Sequence, residues 1–332
     1  MSNYESWARG VKRFVKHQLG LADLADFERL NATAEGLKSK IEQIEHDFMR
    51  LNATAEGLKS KIEQIEHDFI MPKYQYSSPI DYSTETWPPS YDPPVRLPGV
   101  ELPIPPAKVR AGYSPEDDKF YLEWGKSDHD LFLSLIEKYS GLNRGMSILD
   151  WGCSSGRVLR HFYNEHKSHD WRLYGIDIQA YLVEWMRQNF PPAIEVLAGS
   201  TFPHLPYKDE TFDVVYGISV FTHTKYLWDF WLAEIRRVLK SGGLCIQTVQ
   251  CEEAWRFYHQ NRQLDWVRAG HPDVMLREPE MTADYFLYGD CFISHNFFKE
   301  EVIKRYWGRI MEVVEFLPPQ KHGYQNWIVL KA

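Results

Sequence analysis

The chain has 332 residues, which suits one large domain with an extension, and 44% of them are hydrophobic, enough for a sizeable core. Its net charge of −8 argues against a protein that binds nucleic acid through phosphate contacts. The four cysteines lack metal-ligand spacing and no long apolar run is present, so we expect a cytoplasmic protein with reduced thiols and no membrane-spanning helix.

Residues 1–26 are predicted to form a basic amphipathic helix. Apolar side chains fall on one helical face and basic ones lie between them, namely Trp7, Val11, Phe14, Val15 and Leu19 with Arg9, Lys12, Arg13 and Lys16. Two interpretations stay open. Either this helix lies peripherally on the inner face of a membrane, where anionic lipid attracts basic residues, or it packs against its own oligomer.

Residues 27–70 are predicted to form a coiled coil. The segment Arg29–Phe48 recurs unchanged as Arg50–Phe69, with a period of 21 residues, or three heptads. Apolar residues alternate at spacings of four and three, the pattern of a left-handed coiled-coil seam. With Ala34 at position a, Lys40 and Glu45 attract each other across a parallel interface, so the predicted partner is a second or third copy of the chain. An amphipathic helix folded back on its own domain is the alternative.

Residues 71–107 have a different composition and are predicted to form a linker arm. Ten prolines lie in this stretch, among tyrosines and Trp87. Proline removes a backbone donor and fixes φ, which excludes helix and interior strand. We therefore expect an extended arm, partly polyproline II, that leads into a globular domain over residues 108–332.

The stretch from 146 to 162 carries the strongest signal for a binding site. An apolar run that predicts a buried strand ends at Asp150, a loop containing Gly152 and Gly156 follows, and then come helix-forming residues. The spacing differs from that of dinucleotide-binding loops, and a carboxylate ahead of the first glycine would repel a pyrophosphate. A cationic ligand suits this loop, although an ordinary strand-to-helix turn would have the same pattern.

The sequence Asp150-Trp-Gly-Cys-Ser-Ser-Gly156 resembles motif I of class I S-adenosylmethionine-dependent methyltransferases. Three further landmarks follow in the order of that family: Asp177 after a second strand, the motif IV-like segment Phe212–His223, and a Gly-Gly turn before a fifth strand. The resemblance implies an α/β fold, a Rossmann-like seven-stranded sheet with helices on both faces, here preceded by the α-helical coiled coil. It also implies S-adenosyl-L-methionine as cofactor.

The resemblance assigns a set of cofactor-binding residues. Asp177 matches the acid that binds the ribose hydroxyls, and the motif I loop surrounds the methionine end. The sequence departs from the family at Ser154, in place of a glycine, and at Ser200, in place of an acid that binds adenine. The complete predicted set is Asp150, Gly152, Cys153, Ser154, Gly156, Asp177, Ile178, Ser200, Thr201, Phe202 and Ser219.

Other elements of the domain follow from patterning. We expect a helix capped by Ser127 or Asp128 that runs to about Tyr139, and two final strands that form an antiparallel edge of the sheet. Residues 251–292 have no strand signal and many polar aromatic residues. They occupy the position of the substrate-specific insertion in this fold.

Two histidines are the candidate catalytic residues. A hydroxyl acceptor needs a base, and His223 leaves the fourth strand at its carboxyl end while His295 lies in a segment that can return to the pocket. For either one, a capping or packing role is the alternative. Motif IV lacks paired aspartates, so transfer without a metal is expected.

The predicted function is methyl transfer to a hydroxyl of a sugar or glycan by a coiled-coil oligomer. The segments ending at Arg110 and Gln325 resemble a bacterial subgroup associated with glycan and natural-product pathways. A glycosyltransferase or a membrane surface is the further partner that this predicts. A natural-product methyltransferase acting on a small molecule and a non-catalytic scaffold with a degenerate cofactor site remain alternatives.

Overall fold

The computed structural model describes residues 32–44, 47, 93–110, 117–289, 294–320 and 324–332. The chain divides into two units, Met1–Glu85 and Thr86–Ala332. The predicted basic helix, the second copy of the repeat and the first part of the proline-rich arm lie outside the described residues.

In the first unit, residues 32–44 are helical. Leu37, Ile41 and Ile44, which follow the predicted spacing of four and three, are more than half exposed. Lys38 and Glu42 form an ion pair of 4.0 Å along the helix. This helix therefore carries both a charged pair and a row of exposed apolar side chains. The coiled coil itself stays a prediction.

The second unit is built on a seven-stranded sheet of order β3-β2-β1-β4-β5-β9-β8. Its strands are β1 (Ser147–Trp151), β2 (Arg172–Asp177), β3 (Ile194–Ala198), β4 (Phe212–Gly217), β5 (Leu239–Val249), β8 (Glu312–Leu317) and β9 (Asn326–Lys331). The first five strands are parallel and β9 is antiparallel to both of its neighbours. The predicted Rossmann-like sheet with an antiparallel edge is confirmed.

Helices cover both faces of this sheet. They are α1 (Asp118–Ser140), α2 (Tyr163–His169), α3 (Ala180–Asn189), α4 (Trp228–Val238) and α8 (Glu300–Tyr306). Phe132 of α1 and Trp185 of α3 belong to one buried apolar cluster. Trp231 of α4 and Ile303 of α8 belong to a second cluster. Because β1 lies between parallel neighbours with a cluster on each face, all five of its residues are buried.

Helix α1 begins earlier than the sequence predicts. Asp117 accepts a hydrogen bond from the N–H of Phe120 at 2.9 Å and caps the helix, so the predicted start at Ser127 or Asp128 is wrong. Both of these residues lie inside the helix. Their side chains suit an N-cap, but the amphipathic pattern continues for more than two turns ahead of them.

The segment predicted to be the substrate insertion has its own small core. It contains α5 (Glu252–Gln260), α6 (Asp265–Gly270), α7 (Pro272–Met275) and β6 (Tyr285–Tyr288), which pairs with β7 (His295–Phe298). The expectation that residues 251–292 hold no strand is wrong because of β6. This strand has only four residues, each half-buried, and therefore shows no alternation of polar and apolar residues.

The described part of the proline-rich arm, residues 93–107, belongs to the second unit and packs against the rest of it. Residues 102–106 are buried, and Val95 pairs with Ile104. The buried guanidinium of Arg160 donates hydrogen bonds to the carbonyl oxygens of Leu102 and Pro103. The Arg160 side chain thus provides hydrogen-bond donors to backbone carbonyls that have no partner strand in this proline-rich segment.

Gly125 in the middle of α1 provides a test of this packing. Alanine is ordinarily favoured over glycine in a helix by about 1 kcal/mol, but a Cβ at this position would lie 2.3 Å from the backbone oxygen of Arg157. Because backbone cannot move aside easily, we expect Gly125→Ala to lower the free energy of unfolding by about 1–3 kcal/mol in urea titrations. Ser127→Ala, at an exposed position of α1, is the control. A Gly125→Ala protein as stable as this control would contradict the described contact.

Candidate functional site

The strand order reverses between β1 and β4, and the carboxyl ends of these two strands are where open α/β sheets bind their ligands; we name this place the crevice. The loop that follows β1 turns at Gly152, with φ +81°, and at Gly156, with φ +80°. A Cβ on Gly152 would lie 2.4 Å from a methyl group of Val220. Both the positive φ and this close approach require glycine, so the loop can follow the floor of the crevice closely.

Ser154 stands at the position where the resembling family has a glycine. Its φ of +51° lies in the left-handed region, which costs a residue with a Cβ about 1–2 kcal/mol. The N–H of Ser154 donates a hydrogen bond of 2.7 Å to Oδ2 of Asp177, which offsets this cost. The Oγ atom of Ser154 is buried without a hydrogen-bond partner. A ligand hydroxyl would satisfy it.

Asp177 ends β2 and joins two turns. Its Oδ1 atom accepts a hydrogen bond of 2.8 Å from the N–H of Gln179, while Oδ2 accepts that of Ser154. Burial raises the pKa of Asp177, and the two N–H groups oppose this shift. Each carboxylate oxygen can accept one further bond. The residue therefore fits the predicted role of binding two ribose hydroxyls.

Asp150 is buried beneath the loop. Tyr216 donates a hydrogen bond of 2.9 Å to its Oδ2 atom. Burial raises the pKa of Asp150 to about 7, although the bond from Tyr216 and the positive charge of Arg157 act in the opposite direction. A cationic group at the loop would favour the ionised carboxylate. The buried carboxylate of Asp150 is thus consistent with the cationic ligand that the sequence predicts at this loop.

The loop after β3 contains the residues predicted to meet adenine. The N–H of Phe202 donates to Oγ of Ser200 at 3.1 Å, so this hydroxyl is already engaged in a local turn. The ring of Phe202 is half exposed and Thr201 is exposed. Stacking on Phe202 is therefore the contact that this loop can offer to a flat ring system.

The remaining predicted cofactor residues line the same edge of the sheet. Cys153 is buried in the loop and its thiol pKa is raised by burial, so the thiol is neutral. Ile178 follows Asp177 and is half-buried. Ser219, with φ +60°, leaves β4 and donates its N–H to Oγ1 of Thr248 at 2.7 Å. The structure thus brings the predicted set to the carboxyl ends of β1, β2, β3 and β4.

The two candidate catalytic histidines lie together beside the crevice. The ring centroids of His223 and His295 are 5.5 Å apart. The side chain of His223 is accessible to solvent, and desolvation nevertheless lowers its pKa. Its Nδ1 atom lies 2.7 Å from the carbonyl oxygen of Ser294, the residue before β7.

Four further residues lie around the two histidines, and sequence analysis did not identify them. His271 lies 4.5 Å from His295 between ring centroids and bonds through Nδ1 to the hydroxyl of Tyr288, whose ring stacks on His295. Tyr258 donates a hydrogen bond of 2.8 Å to Gln250, whose amide nitrogen lies 3.5 Å from Nδ1 of His295. We name His223, His295, His271, Tyr288, Tyr258 and Gln250 the histidine wall.

The histidine wall is uncharged near pH 7. Burial lowers the pKa of His295 to about 3 and that of His271 to about 4, and the neighbouring histidines add to both shifts. Burial also raises the pKa of Tyr258 and of Tyr288. The imidazoles are therefore neutral and the phenols protonated, so the wall offers hydrogen bonds without charge.

Within the described ranges, no group of three or more His, Cys, Asp or Glu side chains could hold a metal ion. No helix in those ranges is long and apolar enough to cross a membrane. The described cysteines 153, 245 and 251 are free thiols.

Comparison with known proteins identifies a matching family. Residues 149–247 match the family model described as a methyltransferase domain. An uncharacterised protein of Methanocaldococcus jannaschii is 33% identical over 141 residues, which cover 41% of this chain and 57% of that protein. Sterol 24-C-methyltransferase ERG6B of Gibberella zeae is 31% identical over 155 residues, or 41% of this chain and 40% of the relative. The match thus spans about half the length of these curated relatives.

Solved structures are similar at lower sequence identity. A SAM-dependent methyltransferase from Aquifex aeolicus covers 67% of this chain and 97% of its own, with 16% identity and a TM-score of 0.43. One from Methanosarcina mazei covers 59% of this chain and 96% of its own, with 19% identity and a TM-score of 0.41.

The pKa of Asp150 leads to a test of ligand charge. In the free protein the Asp150 carboxyl takes up a proton below about pH 7, whereas a bound cation would keep it ionised. Binding below that pH must therefore displace a proton, which weakens it. We therefore expect S-adenosylmethionine to bind roughly fivefold more tightly at pH 7 than at pH 6, as measured by isothermal titration calorimetry. Asp150→Asn should remove this dependence. A wild-type affinity that does not change between the two pH values would contradict a cation beside Asp150.

Proposed function

We propose that this chain, which contains a class I S-adenosylmethionine-dependent methyltransferase domain, is an enzyme that methylates a hydroxyl group of a sugar or glycan. The observation that carries the proposal is the uncharged histidine wall beside the cofactor crevice, with one imidazole nitrogen available as a base. The cofactor, when bound, supplies an electrophilic methyl group. The protein must hold the acceptor in line and remove the hydroxyl proton.

His223 is the base in this proposal. The carbonyl oxygen of Ser294 can only accept a hydrogen bond, so Nδ1 of His223 must carry the hydrogen. In the neutral ring, Nε2 is then an acceptor with a free lone pair. Nε2 would take the proton of the acceptor hydroxyl, and the bound cofactor would supply the methyl group to the acceptor oxygen. The Ser294 carbonyl stabilises the imidazolium that results.

His295 has the complementary role of a hydrogen-bond donor. The bond from Tyr258 to the amide oxygen of Gln250 turns the amide nitrogen towards Nδ1 of His295. Nδ1 is then the acceptor, which puts the hydrogen of neutral His295 on Nε2. A base on one side and a donor on the other can orient a single hydroxyl group between them.

The surroundings favour an uncharged acceptor with an apolar face. Burial lowers the pKa of His223, His271 and His295, other histidines add to the shifts of His271 and His295, and the carboxylate of Asp273 adds to the raised pKa of Tyr288. Next to the wall, the rings of Phe257, Tyr324 and Trp266 lie within about 30° of parallel. Such a platform suits the C–H face of a sugar ring, and it equally suits the natural-product acceptor that remains the alternative.

The sterol substrate in the names of the sterol methyltransferases is not carried over to this chain. Sterol 24-C-methyltransferase ERG6B aligns with this chain over 40% of its own length. A match of that extent supports a shared cofactor domain. A scaffold with a degenerate cofactor site stays as an alternative because of Ser154 and Ser200, and the assays below exclude it if turnover is found.

The predicted coiled coil of residues 27–70, which we name the stalk, is proposed to make the enzyme a parallel dimer or trimer. The exposed side chains of Leu37, Ile41 and Ile44 lie on the predicted seam, and the repeat continues the same phase through the second copy. An oligomer would hold several active sites on one rod. Residues 1–26 would then present basic helices to a membrane surface or to a glycosyltransferase that supplies the glycan.

Replacing His223 tests the role of the base. His223→Gln should lower kcat on a neutral glycoside acceptor by about 10²–10⁴-fold and leave the Kd for S-adenosylmethionine unchanged. Because the pKa of His223 lies below the ordinary value near 6.5, wild-type kcat should be constant at pH 7–8 and fall at lower pH as Nε2 is protonated. His166→Gln is the matched control, since Nδ1 of His166 also lies 2.7 Å from a backbone carbonyl, on α2. Equal rates for the two variants would rule out His223 as the base.

Deletion of the stalk tests the oligomer. Without residues 1–70 the protein should be a monomer by light scattering and should bind S-adenosylmethionine as the full chain does. Removal of residues 50–70 alone takes out three heptads and about 30 Å of rod, so the seam stays in phase and the oligomer should persist. A full-length chain that is monomeric at micromolar concentration would contradict the coiled coil.

A further inference from the structure

Asn296 is the centre of a hydrogen-bond network beneath His223. The side chain is fully buried. Its amide nitrogen lies 2.9 Å from the carbonyl oxygen of Phe221, 2.7 Å from that of Lys225 and 3.2 Å from the hydroxyl of Thr224. Carbonyl oxygens only accept hydrogen bonds, so the orientation of the amide is determined by its surroundings.

These bonds join two segments that are distant in sequence. The turn that leaves β4, residues 221–225, contains His223 between the two carbonyls that Asn296 binds. Ser294 lies two residues before Asn296 and presents its carbonyl oxygen to Nδ1 of His223 at 2.7 Å. The amide therefore sets the position of the turn against β7, and with it the distance from the imidazole to the Ser294 carbonyl.

The oxygen atom of the Asn296 amide also has a hydrogen-bond partner. Oδ1 of Asn296 accepts a hydrogen bond of 3.1 Å from the hydroxyl of Tyr285, which also lies 3.0 Å from the carbonyl oxygen of Lys225. The single hydrogen of that hydroxyl is shared between the two acceptors, and both polar atoms of the Asn296 side chain have partners within the protein. A residue so fully engaged and buried contacts no ligand, so any effect on the reaction must pass through His223.

We propose that Asn296 is the positioning residue for His223. It holds the exit turn of β4 against β7, so that the Ser294 carbonyl keeps the imidazole hydrogen on Nδ1 and leaves Nε2 free to accept the proton of the acceptor hydroxyl. This proposal rests on the proposed function of His223 in methyl transfer. An apolar side chain of similar volume would fill the space but would remove the one donor group that both carbonyls share. The Phe221 carbonyl would keep only the Thr224 hydroxyl and the Lys225 carbonyl only the Tyr285 hydroxyl as side-chain donors, so the turn would no longer be tied to β7 by an amide and would shift.

The imidazole tautomer provides a readout that packing alone would not change. Nitrogen-15 NMR distinguishes a neutral imidazole with hydrogen on Nδ1 from one with hydrogen on Nε2. We expect the wild-type protein to show His223 as the Nδ1–H form from pH 6.5 to pH 8. Asn296→Leu should show a mixture of both forms, a kcat about 10²-fold lower, and a Kd for S-adenosylmethionine within twofold of wild type.

Asn189→Leu is the matched control. The amide of Asn189 also donates to a backbone carbonyl, that of Trp185 at 2.8 Å, but it lies at the end of α3. This variant should retain the wild-type tautomer of His223 and the wild-type kcat. If Asn296→Leu does not fold, Asn296→Ala removes the amide without crowding the site, and the same mixture is expected.

A folded Asn296 variant with the wild-type tautomer and kcat would overturn the proposal. So would a wild-type protein in which His223 carries its hydrogen on Nε2. If no acceptor is methylated by any form of the protein, the proposed reaction fails, while the tautomer comparison still decides whether Asn296 positions the imidazole.

Discussion

The carboxylate of Asp177 is the constraint on which the rest of the cofactor crevice depends. It accepts the N–H of Ser154 through one oxygen and the N–H of Gln179 through the other, so it joins the loop after β1 to the turn after β2. The first bond allows a serine to remain in a left-handed conformation that glycine normally adopts. A buried acid costs free energy unless such donors surround it, and here the donors belong to the loops that would enclose the ligand.

The two sides of the site differ in electrostatic character. On the side of β1 and β2, Asp150 and Asp177 are buried acids with raised pKa values, which a cationic ligand with hydroxyl groups would stabilise. On the side of β4 and β5, the histidine wall consists of neutral imidazoles and phenols. A charged cofactor and an uncharged acceptor would therefore each meet the environment that suits them. Three of the six residues of the histidine wall, Tyr258, His271 and Tyr288, belong to the insertion of residues 251–292.

The parallel strands could be predicted from sequence for a physical reason. Strands buried on both faces are continuous apolar runs, and the acids that follow such runs mark their carboxyl ends, as Asp150 does near the end of β1 and Asp177 at the end of β2. The predicted Gly-Gly turn before the fifth strand is wrong, because β5 begins at Leu239 and includes both glycines. The start of α1 was missed because Ser127 and Asp128 are good caps that happen to lie inside the helix, whereas Asp117 is the actual cap. Helix propensity and capping compete, and only packing decides between them.

The histidine wall could be predicted only in part. His223 is predicted from its position after the fourth strand, and His295 from a segment that can return to the pocket. Asn296 and Phe221 are 75 residues apart, and the carbonyl of Ser294 has no side-chain signature, so nothing local indicates that they meet. His271 and Tyr288 lie in the insertion, whose short strand has no periodicity. Their contacts exist because β7 lies beside the exit of β4, a tertiary fact that a single sequence does not express.

The most direct test of the account is the affinity of S-adenosylmethionine for the wild-type protein and for Asp177→Ala, measured by isothermal titration calorimetry with circular dichroism as a check on folding. The account predicts that the wild type binds and that the substitution weakens binding by about 1.5–3 kcal/mol, the cost of losing hydrogen bonds to a charged group. An Asp177→Ala protein that is folded and binds as tightly as the wild type, or a wild type that does not bind at millimolar cofactor, would contradict it.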